Sequence, residues 1–436
     1  MISLVNPISD TLHPRDISRQ GLVPQRYTMR SGQPLYYFTD THIDLVRFDI
    51  VFEAGTAIQH KKLQAMAAIH LITEGTAHHS ARQIAEFLDY RGIVVEKSHD
   101  SVTTTLTVYS LSRYLDVLLP LLFEMVTEPA YPQAEFDLFI ERRRQKLLTS
   151  MRKTSFVARN RFWAHLYGPQ HPLGSFAEPD ELDLLRVDDV RDFHRRHMQL
   201  SAARLTVSGH VDDALLHRID DLFGCQPWHA ATPIVLPPPQ PLSPSGSFEY
   251  EVPQAVQNSL RVGRLLPYRW DDVRYAQFMV LSTLLGGYFG SRLMSNIRED
   301  KGYTYGIYAM TQMCRGSIVF YILSDVASDK AQPAMEEILK EIGRLRDEAV
   351  GQEELALVRN NMMGDFMRSV DGIFERAERY GQMCSVDVDE RFTDIFMSVL
   401  TPDSPDAATP EMLQSLAQEV LRDDQLVLMS VGQTSR

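Results

Sequence analysis

With fourteen histidines and 57 carboxylates in the chain, spacing decides which of them could do chemistry. Two histidines four apart on one helix face, with a glutamate between or beside them, would hold zinc and a general base. Neither H-E-x-x-H nor H-x-x-E-H occurs anywhere in the 436 residues. Only pairs remain. His70 and Glu74 are four apart and could share a helix face as two metal ligands, but no third ligand is identifiable. Leu63, Met66, Ala67, His70 and Leu71 recur at helical spacing as one apolar face, so a satisfied core histidine is the simpler reading of His70. His78 and His79 open a helix at a loop edge and read as solvated. His194 and His197, three apart beside Arg195 and Arg196, read as an exposed polar face. Gly286, Gly287 and Gly290 do not make a nucleotide loop, because no G-K-S/T follows and G-x-G-x-x-G is absent. The basic run Arg142-Arg143-Arg144-Gln145-Lys146 reads as the solvated face of a helix.

Composition narrows the function classes. The chain is 44% hydrophobic and 23% charged, ordinary for a globular protein, and too long for one core at roughly 100–200 residues per domain. Its formal charge of −13 argues against nucleic-acid binding, which draws its affinity from a basic surface. No apolar run reaches the ~20 residues that span a bilayer, and no secretory signal is read at the N-terminus, so no membrane partner is expected. Cys225, Cys314 and Cys384 are far apart and share no C-x-x-C spacing, which suits a reducing compartment; the expected location is cytoplasmic.

The elements that must position these residues repeat. Seven of the 23 prolines lie between Pro227 and Pro244, a stretch that reads as an extended spacer. It divides the chain into a first domain over 1–225, a linker over 226–247 and a second domain over 248–436. Near the start of the first domain, an alternating strand over 45–52 leads to a helix at about 62–73. The second domain begins the same way, with a strand over 259–266 and a helix at about 271–285 ending at Gly286. Both middles run from a strand (105–110 and 317–322) into long helices. Both domains end on an amphipathic helix and a short apolar strand closing on glycine, Gly209 and Gly432. Strands alternating with helices in this way imply an α+β fold of two homologous domains, each a largely antiparallel sheet packed by helices.

In these segments the chain resembles the pitrilysin/insulinase-type metallopeptidases, the inverted-zincin family that includes the mitochondrial processing peptidase. The matching first-half segments are Phe52-Glu53-Ala54-Gly55-Thr56, Glu74-Gly75-Thr76 with the helix that follows, and the strand 205–209. In the second half they are Leu285-Gly286-Gly287-Tyr288-Phe289-Gly290-Ser291-Arg292-Leu293 and Arg298-Glu299-Asp300-Lys301-Gly302-Tyr303-Thr304-Tyr305. The resemblance covers nearly the whole chain and implies two domains closing as a clamshell.

Active members of that family carry H-x-x-E-H on the first long helix, plus a distant glutamate ligand. Alignment on Gly75-Thr76 puts Met66 at the first histidine, Ile69 at the general base, and only His70 at a surviving ligand. The distant glutamate falls near Lys146, in a basic run that would repel a metal. The resemblance therefore implies no catalytic residue in cis and no metal or cofactor on this chain. What persists is the half that contacts substrate: Arg298 and Tyr305, with Gly286, Gly287 and Gly290 in the glycine-rich loop thought to handle substrate. Without that resemblance, Arg298 reads as a surface salt bridge to Glu299 or Asp300 and Tyr305 as a half-buried aromatic. The expectation is a non-catalytic, substrate-binding subunit of a heterodimeric zinc metallopeptidase. Its partner would be a homologous subunit bearing H-x-x-E-H and the zinc, and its substrate an extended peptide or unfolded protein. The alternative is a structural or peptide-binding protein of the same fold with no peptidase partner.

Overall fold

The computed structural model describes residues 22–225 and 227–434, which form two compact units. The first unit contains Leu22–Leu242 together with Asp371–Ser385, and the second contains Ser243–Val370 and Val386 onwards.

In the first unit the chain runs β1 (Gln25–Thr28), β2 (Pro34–Thr39), β3 (Leu45–Phe52), α1 (Gln64–His70), α2 (Ala81–Arg91), β4 (Val94–His99) and β5 (Thr104–Leu111). It continues through α3 (Leu115–Thr127), α4 (Gln133–Ser150), α5 (Thr154–Tyr167), α6 (Val187–His197), β6 (Arg204–Gly209) and α7 (Asp213–Phe223). The six strands are ordered β1-β2-β6-β3-β5-β4, all antiparallel except the β2–β6 pair. Central β3 alternates in character. Val46, Phe48, Ile50 and Phe52 enter the helical core, where Phe48 meets Phe223 edge-on at 5.3 Å. Arg47 and Asp49 point to the other face, where Arg47 Nε donates to both carboxylate oxygens at 3.1 and 2.9 Å, and Asp49 Oδ1 accepts from Thr107 Oγ1 at 2.6 Å. A buried charged pair tolerates desolvation only when its hydrogen bonds are met in this way.

The second unit runs β7 (Gly246–Glu251), β8 (Gln257–Leu266), α8 (Val273–Gly286), a π-helical segment (Met294–Asp300), β9 (Thr304–Cys314) and β10 (Ser317–Ala327). It ends with α9 (Ala331–Asp347), α10 (Gln352–Arg368), α12 (Arg391–Leu400), α13 (Pro410–Val420) and β11 (Val427–Gly432), with α11 (Ile373–Ser385) falling between α10 and α12 in the chain. Its five strands are ordered β7-β11-β8-β10-β9, again with one parallel pair, β7–β11. This is the order β2-β6-β3-β5-β4 of the first unit, strand for strand, so the repeat suggested by the sequence extends to topology. It also makes β4 and β9 equivalent edge strands.

Two features depart from the sequence reading. Residues 371–385, placed there in the second domain, belong to the first unit. Helix α11 lies on the polar face of that sheet, with Tyr380 against Tyr36 at 5.5 Å and the Phe374 carbonyl accepting from Arg47 at 3.5 Å. Helices therefore cover both faces of this sheet. The proline-rich stretch is also not a free spacer, because it straps onto the first unit. Gln240 N donates to Tyr167 O at 2.9 Å, Leu242 N to His165 O at 3.1 Å, and His171 Nε2 to Pro237 O at 2.9 Å. At Gly168 (φ +89) any Cβ would sit 2.3 Å from the Gln240 carbonyl, so the strap depends on a glycine there.

Candidate functional site

Helix α1 is shorter than the expected 62–73 and is buried nearly all round: Gln64, Ala65, Ala67, Ala68 and Ile69 have almost no exposure. Met66 and His70, expected on its apolar face, instead lie on its more open side. The helix ends at His70, and Glu74 follows after three residues of turn, so the two do not share a helix face. They do border one cavity of about 340 Å³.

Three elements build that cavity. Helix α1 supplies His70 at its C-terminal end. Edge strand β4 supplies Lys97, which sits with His99 on the strand face turned toward α1. Helix α4 supplies Glu135, Leu138, Phe139, Arg142, Arg143 and Lys146, one stripe at helical spacing. The structure thus brings His70 and Lys146 to the same place. Lys97 Nζ donates to the His70 carbonyl at 2.9 Å and to Thr73 Oγ1 at 2.8 Å, and lies 3.7 Å from Glu74 Oε1. It satisfies a carbonyl at the negative end of α1, where a cation is favoured. The His70 ring packs edge-on to His99 at 5.8 Å and Phe139 at 6.2 Å, and its Nδ1 is buried without a hydrogen-bond partner. Burial, followed by the charge of Arg143 and its neighbours His99, Lys97 and Lys146, pushes the imidazole down to about 4.

Zinc does not fit this donor set. Met66 and Ile69 offer neither an imidazole nor a carboxylate, and the lining carries four cationic side chains against Glu74 and Glu135. Among the described residues no three His, Cys, Asp or Glu side chains converge to hold a metal ion. The other histidine pairs have structural partners. His194, expected on an exposed face, is buried and donates through Nε2 to Val126 O at 2.9 Å. His197 packs on Phe193 at 5.0 Å, and His79 Nδ1 lies 3.0 Å from Glu124.

In the second unit, Gly286 and Gly287 close α8. A Cβ on Gly286 would lie 2.5 Å from Ala309 N, and one on Gly287 would lie 2.5 Å from Thr283 Cα, so both are required by backbone packing. Gly290 lies on the exposed loop beyond, next to Phe289, which is 62% exposed. Arg298 sits in the π-helical segment, where Lys301 N donates to Asn296 O five residues back at 3.1 Å. Such segments are rare and are found disproportionately at functional sites. This one is anchored on its N-terminal side. Arg292 makes a two-pronged pair with Glu354 (2.8 and 2.8 Å), and Asn296 donates to Glu337 and Glu341 of α9 at 3.0 and 2.6 Å. The Arg298 guanidinium stacks over the Phe289 ring at 4.6 Å and pairs with neither Glu299 nor Asp300. Tyr305, near the start of edge strand β9, is 96% exposed, and its hydroxyl bonds to none of the described residues. It is not the half-buried aromatic that its surroundings in the sequence suggest.

The sequence reading missed Lys97 and His99, because a separate strand brings them to His70. The one signal available was their spacing of two, which puts both on one face of any strand.

Comparison with known proteins bears on this arrangement. Residues 185–362 match the family model described as the peptidase M16 inactive domain. A relative from Bacillus subtilis (strain 168), "Uncharacterized zinc protease YmxG", is 20% identical over 366 residues, covering 82% of this chain and 87% of that one. The "Non-peptidase homolog YmxG" of Helicobacter pylori is 21% identical over 282 residues, covering 63% of this chain and 64% of that one. Among solved structures, the peptidase M16 inactive domain from Pseudomonas fluorescens superposes with a TM-score of 0.82 at 20% identity, covering 94% of this chain and 98% of the other. A protease from Helicobacter pylori gives 0.76 at 18% identity, covering 94% and 100%. At these identities the structures speak for the fold alone. Over nearly its whole length the chain thus has the fold of M16, pitrilysin/insulinase-type peptidase structures, and its residues 185–362 are similar to the domain of that family described as inactive.

Proposed function

We propose that the chain is a cytoplasmic, substrate-binding subunit of a heterodimeric zinc metallopeptidase, complementing a homologous partner that bears H-x-x-E-H and the zinc. The observation that carries this reading is a contrast between the two units. The first has Met66, Ile69 and a cationic lining where a peptidase needs ligands and a base. The second holds Arg298 on a π-helical segment anchored to α9 through Asn296 and leaves Tyr305 exposed. An arginine fork can donate to a peptide carbonyl without losing its charge, and a tyrosine hydroxyl can donate to a developing oxyanion. Among the described residues, edge strands β4 and β9 each pair on one side only, and their remaining backbone groups can bind an extended peptide, as in strand addition. Gly290 would let the Phe289 loop follow the substrate.

The second reading is a peptide-binding protein with no peptidase partner. It draws support from the Helicobacter pylori relative's designation as a non-peptidase homologue. The two are separated by mixing this chain with a family member that has intact H-x-x-E-H and following a quenched fluorescent peptide. The heterodimer reading expects co-elution and at least tenfold faster cleavage than by either chain alone. Separate elution with no gain would leave the second reading.

A further inference from the structure

We propose that the pocket of His70, Lys97, Arg142, Arg143 and Lys146 binds a carboxylate of an extended peptide, having exchanged a metal cation for an organic anion as its ligand. This rests on the peptide-binding part of the function proposed above.

Charge comes first. Lys97, Arg142, Arg143 and Lys146 face two carboxylates, Glu74 and Glu135. Lys97 and Glu74 lie 3.7 Å apart and offset each other. Arg142 and Lys146 make no hydrogen bond or ion pair with any described residue, and Arg143 only stacks on Phe139 at 5.4 Å. Arg142 and Lys146, four apart on α4, therefore repel each other with no partner in the fold, an arrangement that costs helix stability. A chain carrying −13 overall has many carboxylates with which to neutralise such a cluster and, among the described residues, lines the cavity with only Glu135 and Glu74, the latter already beside Lys97.

Geometry comes second. The cavity, about 340 Å³, is large enough for an acidic side chain or a chain terminus. It lies against β4, whose outer edge has no strand partner among the described residues. A peptide paired to that edge would run beside Lys97 and could send one side chain over α1 toward Arg142 and Lys146. Two arginine forks suit the planar, two-oxygen geometry of a carboxylate.

The test uses the full chain and fluorescein-labelled ten-residue peptides in fluorescence anisotropy. One peptide carries a single glutamate, a second has glutamine at that position, and each is made with a free and an amidated C-terminus. Wild type should bind at least one carboxylate-bearing form about tenfold more tightly than the amidated glutamine form. The form that wins identifies the source as side chain or terminus. In the double variant Arg142→Ala, Lys146→Ala that ratio should fall to within about twofold, with thermal melting showing that both proteins are folded. Binding of all four peptides with equal affinity by wild type would overturn the carboxylate pocket and leave peptide binding standing. A preference that persists in the double variant would also overturn it, since the anion would then be held elsewhere. Failure of every peptide to bind would overturn the peptide-binding reading itself, and this proposal with it.

Discussion

His70 should titrate far from an ordinary histidine, and the pocket's field sets the amount. In the unfolded chain its imidazole protonates near 6.5, whereas in the fold burial and the neighbouring cations hold it down at about 4. Between these values the unfolded state binds more protons than the native state, so stability rises with pH across the window. The contribution is complete above about pH 6.5 and is lost as pH falls toward 4. At pH 5 full linkage would give about 2 kcal/mol; the ring is only part-buried, so solvent screening reduces this to about 1 kcal/mol. Burial also lowers His99, His165, His171, His194 and His197, so the wild-type pH dependence is a sum. His70→Gln, which stays polar but cannot titrate, isolates the one term. In urea melts it should lose about 1 kcal/mol less than wild type between pH 7 and pH 5. The ring's own NMR titration should place its midpoint well below 6, and Lys146→Glu should raise it. A midpoint near 6.5, or a variant that tracks wild type at every pH, would refute the description of this pocket as a desolvated, cationic site.

Three further outcomes are expected. Arg298→Ala should cut kcat/KM of the mixed heterodimer about ten- to hundredfold, the worth of one or two charge-assisted hydrogen bonds, while size exclusion still shows pairing. Lysine at 298 should rescue poorly for want of the planar fork, and neither change should cost more than about 1 kcal/mol in urea melts, since only the half-exposed stack on Phe289 is lost. Gly286→Ala should destabilise the second unit by about 1–3 kcal/mol in the same assay, because its methyl would press on the backbone of Ala309. Glu354→Ala should cost about 1–3 kcal/mol by leaving Arg292, only 12% exposed at its side chain, without its carboxylate.

The layered architecture was legible because it follows from local pattern. Strand and helix periods repeat in both halves, and the glycines closing β6 and β11 mark the same turn twice. Which surface an element covers was not legible. Residues 373–385 read as an amphipathic helix, but nothing in them says that they return to the first unit to cover Arg47 and Asp49. Helix α1 misled for a related reason. Neighbours bury it from several sides, with Gln64 Nε2 donating to Asp189 O at 2.8 Å and Tyr131 OH to Ala68 O at 3.0 Å, so its apolar periodicity does not mark one inner face. At the candidate site the substituted positions Met66 and Ile69, with His70 retained, could be found through the family resemblance, by alignment on Gly75-Thr76. The pocket could not, because it needs Lys97 from a distant strand, and because nothing in the exposed basic run tells that α4 brings Arg142, Arg143 and Lys146 beside His70.

If this chain carries no catalytic zinc of its own, the metal content of the purified protein will show it. Met66 and Ile69 replace a ligand and the base, and Lys146 with Arg142 and Arg143 charges the wall where the last ligand belongs. Elemental analysis after dialysis should therefore find far less than one zinc per chain. One zinc per chain, lost on His70→Ala or Glu74→Ala together with peptide-cleaving activity of the isolated protein, would contradict the account.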